Sequence, residues 1–330
     1  MRIGRLALLG MLLLVCKEVV AVDFKPPGPK DRLRAIGSTE GLGQSLRKAL
    51  DPERDFEPIP MPKDGDWLAV NPEKGQTFDA FVKSKPNRPD KSRNKIYLLP
   101  LGQFAKGQAP PVDKLSEYAA AFFCMKVEVL PGMALKDSDI TTRINQHTKK
   151  RQVLTGDVLR ILKRKLPRDA FCLLAITMED LYPDPTWNFV FGQASLRGRV
   201  GVYSFFRYDP ASYGEKRADD YQKIVLRRSC KVLAHETAHM FGLTHCIYFR
   251  CVLNGSNHLA ESDSRPMHLC PVCLHKLHHC IGFDTVTRYR SLHKFYAQEA
   301  FDHEAQWITA RLEWMGVGTT DEPDDKATSN

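Results

Sequence analysis

The run His235-Glu236-Thr237-Ala238-His239-Met240-Phe241-Gly242-Leu243-Thr244-His245 constrains this 330-residue chain more than any other feature. Residues four apart on a helix lie about 40° apart around the axis and about 6 Å along it, so His235 and His239 present two imidazoles to one ion. Glu236 is turned about 100° from His235, which keeps it out of the ligand set but within reach of a water at the metal. Gly242 permits a left-handed backbone that ends the helix and swings the chain back, so that His245 supplies a third nitrogen. Three protein nitrogens leave one coordination position open, the pattern of a catalytic zinc rather than a structural one. Helix packing alone asks for no acidic residue beside a ligand histidine.

The surrounding pattern predicts how this run is carried. Across 221–241, Leu226, Cys230, Leu233, Thr237 and Met240 recur at spacings of three and four, a stripe that faces a core. Upstream, strands are expected at 96–101, 125–130, 171–178, 187–193 and 200–206, with helices at 112–123 and 156–165 between them. Strands alternating with crossover helices mean an α+β chain with a mixed twisted β-sheet and an active-site helix. The segment 187–192 is a candidate edge strand for an extended peptide, and an internal strand without substrate contact explains it equally well. Helices at 285–301 and 304–315 follow, and the polar tail 318–330 is expected to be disordered.

Immediately after His245 come Cys246, then Cys251, a gap of eighteen residues, and the pair Cys270-Pro271-Val272-Cys273. The C-x-x-C pair turns two thiolates toward one point, and the first two cysteines complete a closed tetrahedral site of structural character. His258, His268, His275, His278, His279 and Cys280 crowd the same stretch and are expected to be surface or supporting groups. Tyr248 inside the cysteine loop is a candidate oxyanion donor, with ordinary packing the simpler role.

H-E-x-x-H-x-x-G-x-x-H-C-x₄-C with a distant C-x-x-C resembles the archaemetzincins, a branch of the metzincin metallopeptidases, and the archaemetzincin-2 type within them. The likeness is strongest over 171–280, where 180–183, 187–196 and 254–259 also look like that family, and it weakens back toward residue 66. It implies a metzincin-type zincin fold and two zinc ions per chain: a catalytic one on His235, His239 and His245, and a structural one on Cys246, Cys251, Cys270 and Cys273. One position departs from the pattern. Leu253 stands where the family carries the methionine that floors the catalytic zinc, so the fold is expected to survive and the activity to be altered.

The resulting organisation is a signal-like segment 1–21, a Pro- and charge-rich arm 22–92, a peptidase domain 93–283 including the four-cysteine site 246–273, C-terminal helices 284–317, and the tail. The arm carries 10 of the 21 prolines and little apolar periodicity, so short helices, turns and no compact core are expected there. Trp67 to Val70, Phe78 and Phe81 are the exceptions, and are expected to dock the arm onto the domain. Arg2 and Arg5 ahead of an apolar run point to the secretory pathway. Cys124, Cys172 and Cys230 in apolar segments instead suit a reducing cytoplasmic or nuclear compartment.

The net charge of +9 is scattered, with no basic-aromatic module for nucleic acid, and no apolar stretch is long enough for a membrane span. The expected activity is peptide-bond hydrolysis by water, with Glu236 as general base and a peptide or protein substrate met by a monomer. The alternative is a zinc-stabilised scaffold with little or no peptidase activity, for which Leu253 is the only support.

Overall fold

A computed structural model describes residues 24–104 and 109–320. The signal-like segment 1–21 and most of the polar tail lie outside the described residues. The arm contains four short helices, α1 (Pro29–Ile36), α2 (Gln44–Ala49), α3 (Trp67–Val70) and α4 (Phe78–Lys83). There follow β1 (Lys95–Leu101), α5 (Val112–Phe123), β2 (Lys126–Val129), β3 (Thr142–Ile144), β4 (Arg151–Leu154) and α6 (Thr155–Lys165). Next come β5 (Ala170–Thr177), β6 (Asp180–Tyr182), β7 (Gly192–Ala194), β8 (Val200–Ser204) and α7 (Tyr221–Met240). The chain ends in α8 (Leu259–Ser264), α9 (Pro271–Ile281), α10 (Thr285–Gln298) and α11 (Asp302–Met315). This is the expected α+β chain with a mixed sheet.

The main sheet has the order β2-β1-β5-β8-β7, parallel throughout except for β7, which runs antiparallel to β8. Alternation along its strands divides the interior into two cores, because successive side chains leave a strand on opposite faces. From β5, Cys172, Leu174 and Ile176 join the larger core on the α7 side. Leu173 and Ala175 join the smaller core on the side of α6. All eight residues of β5 are buried, as a strand covered on both faces requires. The stripe on α7 (Leu226, Cys230, Leu233, Thr237 and Met240) is buried along its whole length.

Two expectations need correction. The segment 187–193 is mostly irregular: it touches the small sheet β3-β4-β6 through one bridge, Leu181 to Val190, and becomes strand only at Gly192. Backbone pairing at its start is replaced by a side chain: Arg143 donates to the carbonyls of Trp187 and Asn188 (3.1 Å). The arm, in turn, has its expected short helices, yet it is seated in the core well beyond the expected anchors. Ala35, Ile36, Ala49, Leu50 and Phe81 are buried in the larger core with residues of α7 and α9. Burying a Leu or Phe side chain contributes roughly 1.5–3 kcal/mol, so a few such anchors hold an aperiodic segment that makes no strand or long helix of its own. α11 secures it further, since Arg311 donates to the carbonyls of Lys48 (2.8 Å) and Asp51 (2.7 Å). Among the described residues no helix is long and apolar enough to cross a membrane.

Candidate active site

α7 packs against β5, β7 and β8 and stops at Met240, just after His235 and His239. Its end is a Schellman turn: the Leu243 N–H reaches the Ala238 carbonyl (3.3 Å) and the Gly242 N–H the His239 carbonyl (2.8 Å). Gly242 takes φ +93°, a conformation that a residue with Cβ adopts only under strain. The reversal carries His245 back over the helix end. Ring centroids of His235, His239 and His245 then lie 4.5, 5.2 and 5.1 Å apart, a nearly equilateral triangle.

The hydrogen bonds decide which nitrogens face the centre. His235 Nδ1 lies 2.9 Å from the Val252 carbonyl, His239 Nδ1 2.6 Å from the Leu243 carbonyl, and His245 Nδ1 2.8 Å from Glu73 Oε1. The nearest partner of each Nδ1 is an acceptor, with Arg265 Nη1 standing farther off at 3.4 Å from His235 Nδ1, so each Nδ1 gives its proton to that acceptor and each Nε2 offers a lone pair. His235 Nε2 and His239 Nε2 face each other at 3.0 Å with no proton to share. Two lone pairs at that range repel unless a cation lies beside them. Ligand nitrogens at about 2.0–2.1 Å from a tetrahedral zinc would sit about 3.3 Å apart, so the donor set fits this ion. Burial, then the neighbouring His245, pushes His239 down to about 4, and burial holds His235 well below its ordinary value, so both rings are neutral at pH 7.

Glu236 faces the same cleft, a hollow of ≈ 910 Å³ whose walls include Trp67, Trp187, Gly192, Gln193 and Arg265. Its carboxylate lies against the edge strand β7. A Cβ on Gly192 would fall 2.6 Å from Glu236 Oε1, so the absence of a side chain there makes the space. Burial raises Glu236 to about 8, opposed by the charge of Arg265. A divalent cation beside it would oppose the rise in the same direction. Arg265, itself buried, donates to Ser262 Oγ (2.8 Å) and to the Asn254 carbonyl, which holds the loop that carries Val252.

The four-cysteine cluster adjoins this site. Cys246, Cys251, Cys270 and Cys273 are fully buried, with their sulfurs within 4.8 Å of one another. None is in a disulfide, and Cys246 and Cys270 Sγ are 3.5 Å apart, far beyond the roughly 2.05 Å of a bond. The N–H groups of Cys270 (3.3 Å) and Leu253 (3.5 Å) point at Cys251 Sγ, as donors do toward a thiolate. Leu253 is buried, and its carbonyl accepts from the Cys246 N–H (2.9 Å), so the loop beneath His235 is tied to the residue after His245.

The neighbouring histidines do other work. His275 stacks on Phe78 at 3.6 Å and His268 on Trp307 at 3.8 Å. His258 accepts the Glu261 N–H at Nδ1 and faces Asp66 through Nε2, so with Glu261 it seats the arm and keeps no lone pair for a metal. Tyr248 is buried in the core and is not part of the cleft wall. Sequence reasoning missed Glu73, Gly192 and Arg265. Each meets the triad or Glu236 across a long stretch of chain, and no local spacing marks them.

A family model described as Peptidase family M54 matches residues 119–279. Archaemetzincin-2 of Homo sapiens is 38% identical over 291 residues, 79% of this chain and 81% of the relative. Archaemetzincin-1 of Mus musculus is 34% identical over 320 residues, 84% of this chain and 63% of the relative. Among solved structures, archaemetzincin from Methanopyrus kandleri is 29% identical and covers 58% of this chain and 97% of its own, with a TM-score of 0.45. The helix-borne histidines, the adjoining carboxylate and the family match define the class as zinc metallopeptidase. Identity of this extent over most of both chains places the particular family: the chain belongs to the archaemetzincins, peptidase family M54.

Proposed function

We propose that the protein hydrolyses peptide bonds at a zinc centre held by His235, His239 and His245, with Glu236 as general base, and that a second, structural zinc sits on Cys246, Cys251, Cys270 and Cys273. The observation that carries this reading is the convergence of three Nε2 lone pairs, each Nδ1 committed elsewhere, beside a buried carboxylate on the same cleft. When bound, zinc supplies Lewis acidity, acidifying water toward a pKa of about 7 and polarising a carbonyl.

The chain's own residues do the rest. Glu236 takes the proton of the attacking water and returns it to the departing amine, a transfer worth about 10²–10⁴ in rate. Burial and the Gly192 gap hold that carboxylate in one place and exclude bulk water from it. β7, the last strand of its sheet, offers its outer edge to an extended peptide, and the aromatic wall of Trp67 and Trp187, 6.0 Å apart, flanks the run. In this reading 93–283 is the peptidase domain and the substrate is a peptide or protein bound by a monomer. The family match does not favour the scaffold alternative.

Glu236→Gln tests the assignment. Zinc content should stay at the wild-type level while cleavage of a peptide library falls about 10³-fold or more. A variant that keeps its metal and full turnover would remove Glu236 from the mechanism.

A further inference from the structure

Two of the three imidazoles are steadied by carbonyls of their own neighbourhood, Val252 and Leu243, whereas the third is steadied from far away. His245 lies beyond the helix end, on a loop, and its Nδ1–H goes to Glu73, which the chain reaches only through the arm. Glu73 Oε1 takes a second hydrogen bond from Trp67 Nε1 (2.6 Å), and the Trp67 ring stands edge-on to the His245 ring at 5.0 Å. Both ends of this strap are pinned. The Trp67 N–H donates to Glu261 Oε1 (2.9 Å), while Gln76 donates to the Gly242 carbonyl (3.3 Å) and accepts from the Thr244 N–H (3.4 Å). The strap therefore touches the helix-ending turn, the third imidazole and the wall of the cleft at once.

A carboxylate acts on a ligand imidazole differently from a carbonyl. It carries a full charge, makes the opposite ring nitrogen more basic, and fixes both tautomer and ring direction. His245 needs this most, since helix packing does not hold it.

We propose that Glu73 is a positioning residue of the metal centre, and that the strap 66–77 completes a set whose three imidazoles and two supporting carbonyls all come from 235–252. The proposal rests on the reading of the triad as a zinc site. Removing the carboxylate frees the His245 ring to turn and weakens its bond to the ion, while the cysteine site, to which Glu73 makes no hydrogen bond among the described residues, keeps its own. The loss expected for such a supporting group is about 10–100-fold in metal affinity.

The test uses full-length protein loaded with zinc and mixed with a chromophoric chelator. Wild type should release two equivalents in separate phases. Glu73→Ala should release the first about 10–100-fold faster with the second unchanged, and Glu73→Gln, which keeps size and one acceptor, should fall between. With cobalt(II) in the histidine site, the visible absorption of both variants should shift from that of wild type, a signature that a merely structural role would leave in place. Wild-type release and an unshifted cobalt spectrum in the Gln variant would overturn the proposal, and that variant decides should the alanine protein lose both metals together. A wild type that binds metal only at the cysteines fails earlier, and would sink the metal-centre reading itself rather than the role of Glu73.

Discussion

The two clusters follow one another in a single stretch of chain, yet they differ in donor number, burial and access. The cysteine site has four donors, all buried, and backbone N–H groups aimed at a sulfur. The histidine site has three donors, only one of them buried, and opens on a cleft. Their ligands meet at the peptide bond between His245 and Cys246. A closed site needs no contact with substrate and can be shut inside the core, where it fixes the backbone. An open site must leave one position free, so its third ligand hangs from a loop and borrows rigidity from its neighbours. The closed site is one such lender, through Cys246, and the arm is the other, through Glu73.

This comparison breaks most visibly at the closed site. Cys270→Ser should remove one zinc and several kcal/mol of folding stability, because metal binding of this kind is folding free energy. The histidine site should weaken with it, as Cys246 loses its anchor. Metal stoichiometry and thermal unfolding would show this, and a wild type with a single zinc, together with a variant of unchanged metal content and stability, would mean the thiols pack without an ion.

A smaller effect sharpens the catalytic half alone. Gly192→Ala places a methyl 2.6 Å from Glu236 Oε1, inside van der Waals contact, so the carboxylate must move while the triad is untouched. Turnover should drop about 10–100-fold, or ~1.4–2.7 kcal/mol, with metal content unchanged. Equal loss of zinc and activity would instead show that β7 supports the ligands.

Acid gives a graded test, and its sign follows from the desolvation of His239, half-buried in the cleft wall. His239 has a folded-state value of about 4, below the ordinary 6.5, so between these values the unfolded chain holds more protons than the folded one. Stability from this group is full above pH 6.5 and is lost as pH falls toward 4, at up to about 1.4 kcal/mol per pH unit. Bound metal has the same sign, since it too excludes the proton. Thermal midpoints of wild type and His239→Asn should converge across this window, and parallel curves would show that His239 is not held neutral.

The legibility of this protein follows the range of its interactions. Positions 112–123 and 221–241 read as helices because a 3.6-residue stripe is a local property; the first stands in the structure with those bounds and the second ends one residue earlier, at Met240. Continuous apolar composition marked β5 in the same way. The segment 187–191 misled because its aromatic and β-branched residues suit a strand, while at its start Arg143 supplies the bonds a partner strand would have made. The arm misled in the opposite sense, since its anchors have no period and only the surface they meet gives them a place.

From the sequence alone came the ligand types, their order, and the helix end that gathers three imidazoles, because spacing along a helix and the freedom of one glycine are properties of neighbours in the chain. Tertiary structure decided the proton positions on those rings, the room beside Glu236 and the carboxylate behind His245. These depend on Val252, Gly192 and Glu73, which reach the site only through the fold of intervening segments, and no periodicity records a contact between residues 73 and 245.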